Sequence, residues 1–360
     1  MTGADKQAPP QAARPGGHAG ARGFWHVARQ LLLFFALIAL ILAAIALAAP
    51  ELAGAAPPGV MVGAITVLLR GRLRDALVAV AATAVLSGAA FLVTHSPWES
   101  GVLMAAVGVA MALGGRAGWR TAIMAMAVFT AGAFFPTHVP GDAAPGSWAG
   151  AGGIALAVVV GGVLGALVLH LVLRRRHAPP RPPAIGWADV IVNAVALGLT
   201  LLIGTAAVLA WDRGPAASWL MITIVVLAQP TDERTMRRSA QRLFGSLAGS
   251  LIAAGFAFVL STTWQAAIVA FAFFIVAWSY RMSHPAVEQG HGYWIYTVIT
   301  TPAMVLLAVP YGGQRTLEAA GQRAGLTIVA VIAVVLVTQV ARWAVVRATS
   351  GRDPSPAAPG

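Results

Sequence analysis

Apolar residues run along this chain in long blocks, and polar residues gather in short knots between them. The blocks fall at 27–49, 57–70, 73–94, 100–115, 119–135, 149–173, 187–211, 215–229, 240–260, 264–280, 292–309 and 324–346. Several are shorter than the ~20 residues that a straight helical crossing of a bilayer requires. The shortest, 57–70 and 215–229, fit a tilted helix, a helix packed among others, or a partial crossing. Ala46-Leu-Ala48 resembles a signal-peptidase site. The first block, however, is longer than the apolar core of about 7–15 residues in a signal peptide and follows a long leading segment, so it reads as a span. The pattern predicts an all-α fold, a polytopic transmembrane helical bundle of about twelve spans.

The polar knots test that count. With the N-terminus inside, all of the 24 basic residues fall in inner segments except Arg213, Arg315 and Arg323. Inner loops of membrane proteins collect Lys and Arg, so twelve spans with both termini cytoplasmic fit. Removing one span scatters the arginines over both sides. The polar stretch RRRHAPPRPP at 174–183 divides the chain. The halves echo each other: Phe91-LVTHSP-Trp98 resembles Phe258-VLSTT-Trp264, and each half has a short second span followed by an Arg-rich turn. The expected organisation is a disordered cytoplasmic tail (1–25), a first transmembrane repeat (26–176), a Pro/Arg-rich linker (177–186), a second repeat (187–347) and a disordered tail (348–360). Six spans per half make the repeats parallel, about an axis along the membrane normal, with a substrate site between them.

Composition agrees. The 360 residues are 58% hydrophobic and 10% charged, with mean hydropathy +0.78. Soluble domains carry about 25% charged residues. The net charge of +12 raises nucleic-acid binding as a reading, but the arginines lie between apolar spans and form no polar domain. The bilayer is therefore the expected partner and nucleic acid is not. Lys6 is the only lysine, and the weight of Arg, Ala and Gly suggests a GC-rich bacterial genome and hence a bacterial inner membrane. With no cysteine, disulfides and thiolate chemistry are excluded.

The stretch Pro215–Gly249 stands out. An apolar run ends at Gln229-Pro230, where Pro230 disfavours helix at the residue before it. Thr231 or Asp232 can cap the next helix, and Glu233 can pair with Arg237. Arg234, Arg238 and Arg242 are spaced by four, and the same face continues into Gly245 and Gly249. That glycine spacing lets another helix backbone approach closely, as does Gly161-x-x-x-Gly165 in the first half. Arg242 meets the membrane boundary, where an arginine is costly unless it snorkels or finds an anion. Arg234, Arg237 and Arg238 are accounted for by the basic character of inner loops.

A Trp-containing short span, then Gln-Pro-Thr, then Arg-x-x-x-Arg-x-x-Gly-Ser-x-x-Gly resembles the fusaric acid resistance protein-like (FUSC) family of bacterial membrane proteins. The residues that carry the resemblance are Trp219, Thr223, Gln229, Pro230, Thr231, Arg238, Arg242, Gly245, Ser246 and Gly249, with Arg323 and Thr327 for a second motif in the last span. Ser246 stands where the family more often has Thr, and Ala330 where it usually has Gly. The long cytoplasmic domains of larger members are missing. The resemblance implies a permease, in known members one that exports aromatic carboxylic acids or related weak acids. It implies Arg242, Arg323, Arg238 and Thr327 as substrate-binding residues and Gly245 and Gly249 as the helix-packing motif. Asp189 is the default coupling candidate among the few carboxylates.

Other clusters are weaker. Arg281-Met-Ser-His284-Pro-Ala-Val-Glu288-Gln-Gly-His291 has metal-type residues, but Pro285 and Gly290 break the helix and a fourth ligand is missing. Tyr311 to Arg323 suits a short amphipathic outer helix. No P-loop, His-Glu-x-x-His or Gly-x-Ser-x-Gly motif occurs, so no enzyme, cofactor or metal is expected. The alternatives are a non-transporting scaffold of the cell envelope and, on the loose likeness of RGRLRD at 70–75, a major facilitator transporter. The sequence leaves a homo-oligomer open.

Overall fold

A computed structural model describes residues 17–134, 139–140, 143–172, 186–211, 216–227, 232–284, 292–308 and 313–350. Among these residues there are thirteen α-helices and no strand. The first half holds α1 (Gly17–Ala48), α2 (Pro50–Ala53), α3 (Pro57–Arg70), α4 (Leu73–Val93), α5 (Pro97–Gly114), α6 (Arg120–Ala133) and α7 (Trp148–Val172). The second holds α8 (Trp187–Trp211), α9 (Ala216–Leu227), α10 (Asp232–Val259), α11 (Thr263–Ser283), α12 (Tyr293–Ala308) and α13 (Gly313–Ser350). Each apolar block coincides with one helix, and only the four-residue α2 has no block of its own. Three helices begin two or more turns before their blocks. α1 reaches back to Gly17, inside the stretch assigned to the tail, α10 starts at Asp232 and α13 at Gly313. Hydropathy marks where a helix meets lipid or core, whereas backbone hydrogen bonding continues through adjacent charged turns. The Gln229-Pro230-Thr231 break, linker residues 177–185, Glu288 and His291 lie outside the described residues.

Local chemistry sets the breaks. Pro57 and Pro58 occupy the first turn of α3, where missing N–H groups cost nothing. Gly71, at φ +68°, closes that helix by donating its N–H to Val67 O, a conformation that suits glycine. Thr262 and Gln265 form a reciprocal capping box at the start of α11.

Seven helices are long and apolar enough to cross a membrane by length and composition: α1, α4, α5, α7, α8, α11 and α13. α3, α6, α9 and α12 are shorter apolar helices. Leu47, Leu251 and Phe258 are 88%, 75% and 79% exposed, as expected of side chains that face lipid. Exposed tryptophans stand at helix ends, among them Trp98, Trp148, Trp187, Trp211 and Trp264, where indoles favour the membrane–water boundary. The protein is a multi-pass helical membrane protein.

Backbones approach closely at three seams. Along α3 and α7, a Cβ on Gly59 would fall on Val158 O and one on Gly63 on Gly162 O. From the other side, a Cβ on Gly161 or Gly165 would lie 2.5 Å from Ala56 O or Val60 O. The halves meet where α5 lies along α8 and α1 along α11. In the first of these, a Cβ on Gly101 would stand 2.6 Å from Leu202 O. In the second, Phe35 packs edge-on against Phe271 and Phe274. The largest buried apolar cluster joins the halves through Met104, Met111, Leu197, Leu201, Met221 and Ile224. The third seam, α10 on α12, leads to the polar interior.

Candidate functional site

Gly245 and Gly249 act as their spacing predicts. A Cβ on Gly245 would lie 2.6 Å from Thr297 Cβ and 2.8 Å from Trp294 O. One on Gly249 would lie 2.7 Å from Thr301 Cβ and 2.8 Å from Val298 O. Pro302, inside α12, has no N–H to give Val298 O, its usual helical partner. α10 therefore packs its glycine face onto the turn that carries the freed carbonyl. Thr297 and Thr301 turn their hydroxyls back to the carbonyls of Tyr293 and Thr297, at 3.0 and 2.9 Å. Their methyl sides are left to meet the glycines.

That close approach draws Arg242 into the interior. It is buried, and its Nη1 donates to Tyr293 Oη at 3.1 Å. Its Nε has no hydrogen-bond partner among the described residues. Arg238, one turn earlier and half-buried, lies with its Cζ 5.4 Å from the centre of the Tyr293 ring, within cation–π range. Arg281 lies 5.3 Å from the Tyr296 ring. Tyr293 is thus surrounded by Arg238, Arg242 and Arg281, all close enough for electrostatic interaction.

Arg323 corrects the sequence reading, which placed it in an outer loop. α13 begins at Gly313, so Arg323 sits in its third turn and is only 2% exposed. Ala319 and Ala320 pack with Ala253, Val305 and Trp219. One turn further on, Arg323 lies between α9 and α10, its Cζ 5.5 Å from the Trp219 ring. Its Nε and Nη1 have no hydrogen-bond partner among the described residues, and it interacts electrostatically with both Arg242 and Tyr293. Neither Arg242 nor Arg323 forms an ion pair among the described residues. The hydroxyls of Thr223 on α9 and of Ser246 and Ser250 on α10 are also buried without partners among the described residues.

Burial of an unpaired charge is strongly unfavourable. Two guanidiniums with unsatisfied donors, close enough to repel, make an interior suited to an anion. Carboxylates and phosphates match the guanidinium fork. Aromatic walls at Trp219 and Tyr293 add flat apolar surface.

The remaining predicted residues divide. Thr327 is buried, but its hydroxyl donates to Arg323 O at 2.8 Å, so it braces the arginine's turn. Asp189 is exposed in the first turn of α8, where its carbonyl accepts from Asn193, and it does not join the buried cluster. His284 stacks on Tyr280, and no group of three or more metal-type side chains gathers among the described residues. The cluster lies within α9, α10, α12 and α13, inside the second half, where the repeat argument had placed it between the halves. Tyr293 was not anticipated, and only its position at the head of an apolar block hinted at it.

Residues 199–337 match the family described as fusaric acid resistance protein-like. The matched region contains Trp219, Arg238, Arg242, Gly245, Gly249, Tyr293, Arg323 and Thr327. No curated protein and no solved structure matches the chain.

Proposed function

We propose, starting from the match of residues 199–337 to the fusaric acid resistance protein-like family, that this protein is a membrane permease for small organic anions. Aromatic carboxylic acids are the substrate class, and export from a bacterial cytoplasm is the direction. The observation that carries the reading is the pair Arg242 and Arg323, buried with N–H groups that nothing among the described residues satisfies. A carboxylate supplies both charge and acceptors, and Trp219 and Tyr293 offer faces for an aromatic ring.

The architecture proposed is twelve spans in two parallel six-helix repeats, with both termini cytoplasmic. The packing order supports it. If α8 repeats α1 and α11 repeats α5, then the contact of α5 with α8 has its counterpart in that of α11 with α1, and both occur. Likewise α3 and α4 both pack on α7, as α9 and α10 do on α13. Arginines also share one end: Arg70 bonds Gly118 O and covers Trp119, Arg116 covers Trp187, and Arg120 and Arg238 interact. That end is cytoplasmic by the positive-inside rule. Reporter fusions after Pro230 and after Tyr311 are expected on opposite sides of the membrane; the same side for both would refute the twelve-span order.

Export of an anion needs no proton-carrying carboxylate. With the cell interior negative, one negative charge moving out is driven by about 2.3 kcal/mol per 100 mV. The transport test is cell accumulation of labelled weak aromatic acids, with and without the protein. Expression is expected to lower accumulation of at least one acid, and Arg242→Ala to abolish the difference. Equal accumulation across the panel with and without the wild-type protein would overturn the export of these acids.

A further inference from the structure

Helix α10 carries three hydroxyls that are buried with nothing among the described residues to bond. Ser239, Ser246 and Ser250 are at most 5% exposed, and their Oγ atoms have no hydrogen-bond partner there. A buried serine or threonine inside a helix often returns its hydroxyl to the carbonyl four residues back. Thr83, Thr200, Thr297 and Thr327 do so. The other buried hydroxyls without partners, among them Thr66, Ser87, Thr130 and Thr205, stand one to a helix. Among the described helices α10 alone has a run of them, and the run passes Arg242. Arg242, Ser246, Ser250 and Ala253 share one face of the helix, within an arc of about 80°, and Ser239 continues it on the other side of Arg242. Gly245 and Gly249 lie beside that face, against α12.

The packing of α12 and α13 shows where this face leads. Gly245 meets Thr297 and Gly249 meets Thr301, so α10 and α12 run in the same direction. Val305, near the end of α12, clusters with Ala253 and with Ala319 and Ala320 near the start of α13. α13, which also packs along α10, therefore returns in the opposite direction, and Arg323, one turn past these alanines, lies back toward Arg242. Ser246 and Ser250 stand on α10 between Arg242 and Ala253, which are about 16 Å apart along the helix. Arg242 is 7% exposed and Arg323 is 2% exposed, each with an Nε that finds no partner among the described residues. We propose that the hydroxyls of Ser246 and Ser250 form a polar track between Arg242 and Arg323, along which the substrate carboxylate passes from one guanidinium to the other. This rests on the permease reading above. An ionised carboxylate leaving a guanidinium for apolar surroundings meets a large desolvation cost. A hydroxyl lowers that cost, because it donates to a carboxylate oxygen and rotates to follow it. Neutral donors also hold the anion less firmly than the arginines do, so they let it leave as well as enter.

The test uses the full chain in phosphatidylcholine vesicles, with labelled benzoate as probe. Ser246→Ala and Ser250→Ala are each expected to lower maximal flux about tenfold, the effect of losing one hydrogen bond to a charged group. The half-saturating benzoate concentration should stay within about twofold, because the bond is made in passage and not on first binding. Without anion, neither variant should melt below wild type, since an unpartnered buried hydroxyl contributes no bond to the fold. Ser246→Thr, which keeps the hydroxyl, is expected to retain flux, and Ser246→Val, of the same shape without it, to lose flux as Ser246→Ala does. The proposal is overturned if either alanine variant keeps the wild-type maximal flux, or if its half-saturation alone changes. It is overturned equally if the alanine variants melt lower than wild type, or if Thr at 246 is as impaired as Val, since the serines would then serve packing. If wild-type vesicles carry no more benzoate than empty ones, benzoate transport itself fails and the track falls with it. Normal wild-type flux with unaffected alanine variants removes the track alone.

Discussion

Arg323→Met is expected to abolish anion flux while making the empty protein more stable. The two effects have one cause. Arg323 is buried, unpaired and beside a second buried arginine. Removing one member of a buried charged contact with the substrate costs about 2–5 kcal/mol, so flux should drop by about 100-fold or more. Replacing a buried charge by an apolar side chain of similar length is neutral or stabilising by about 1–4 kcal/mol. Thermal unfolding without anion, followed by tryptophan fluorescence, should therefore move upward in the variant. Saturating benzoate should raise the midpoint of the wild type and leave that of the variant unchanged, because only a ligand that binds the folded state stabilises it. A variant that melts lower than wild type would make Arg323 a structural anchor and remove it from the binding site.

Gly59→Val is expected to prevent folding of the first half. A Cβ there falls on the carbonyl oxygen of Val158, and the next glycine along α3, Gly63, meets Gly162 O in the same way. Both obstacles are backbone, so no side-chain rotation relieves them, and the helices must separate. Overpacking costs about 1–3 kcal/mol where a core can relax; this seam has little room to do so. The yield of monodisperse protein after detergent extraction should fall by at least about tenfold, since losses of even about 1–2 kcal/mol change abundance several-fold. Gly152→Ala on α7 is the control, because nothing lies within 4 Å of its added Cβ. Wild-type yield from Gly59→Val would show that the α3–α7 seam is not held by close backbone contact.

The twelve blocks were legible because lipid and core both demand apolar side chains, and interruptions by charge are easily seen. Arg242 with Gly245 and Gly249 was legible because a spacing of three and four fixes one helical face. Tyr293 was not, since it lies 51 residues from the arginine it receives and no local pattern connects them. Arg323 was misplaced for a more instructive reason. Counting charges between apolar blocks assumes that every charge lies in water. An arginine whose helix starts about three turns before the apolar block, and whose guanidinium lies over Trp219, defeats that assumption. Asp189 was chosen by elimination, and a carboxylate near a helix start is as readily exposed as buried.

The pair Arg242 and Arg323 also bears on what the membrane must not let through. A permease spans a barrier whose voltage the cell maintains, and any passage for protons or sodium would short-circuit it. Fixed positive charge in a water-poor interior raises the energy of an arriving cation at the point where it has already lost its hydration. In the permease proposed above, the guanidiniums assigned to the anion would also insulate the membrane against leak, whether the site is filled or empty.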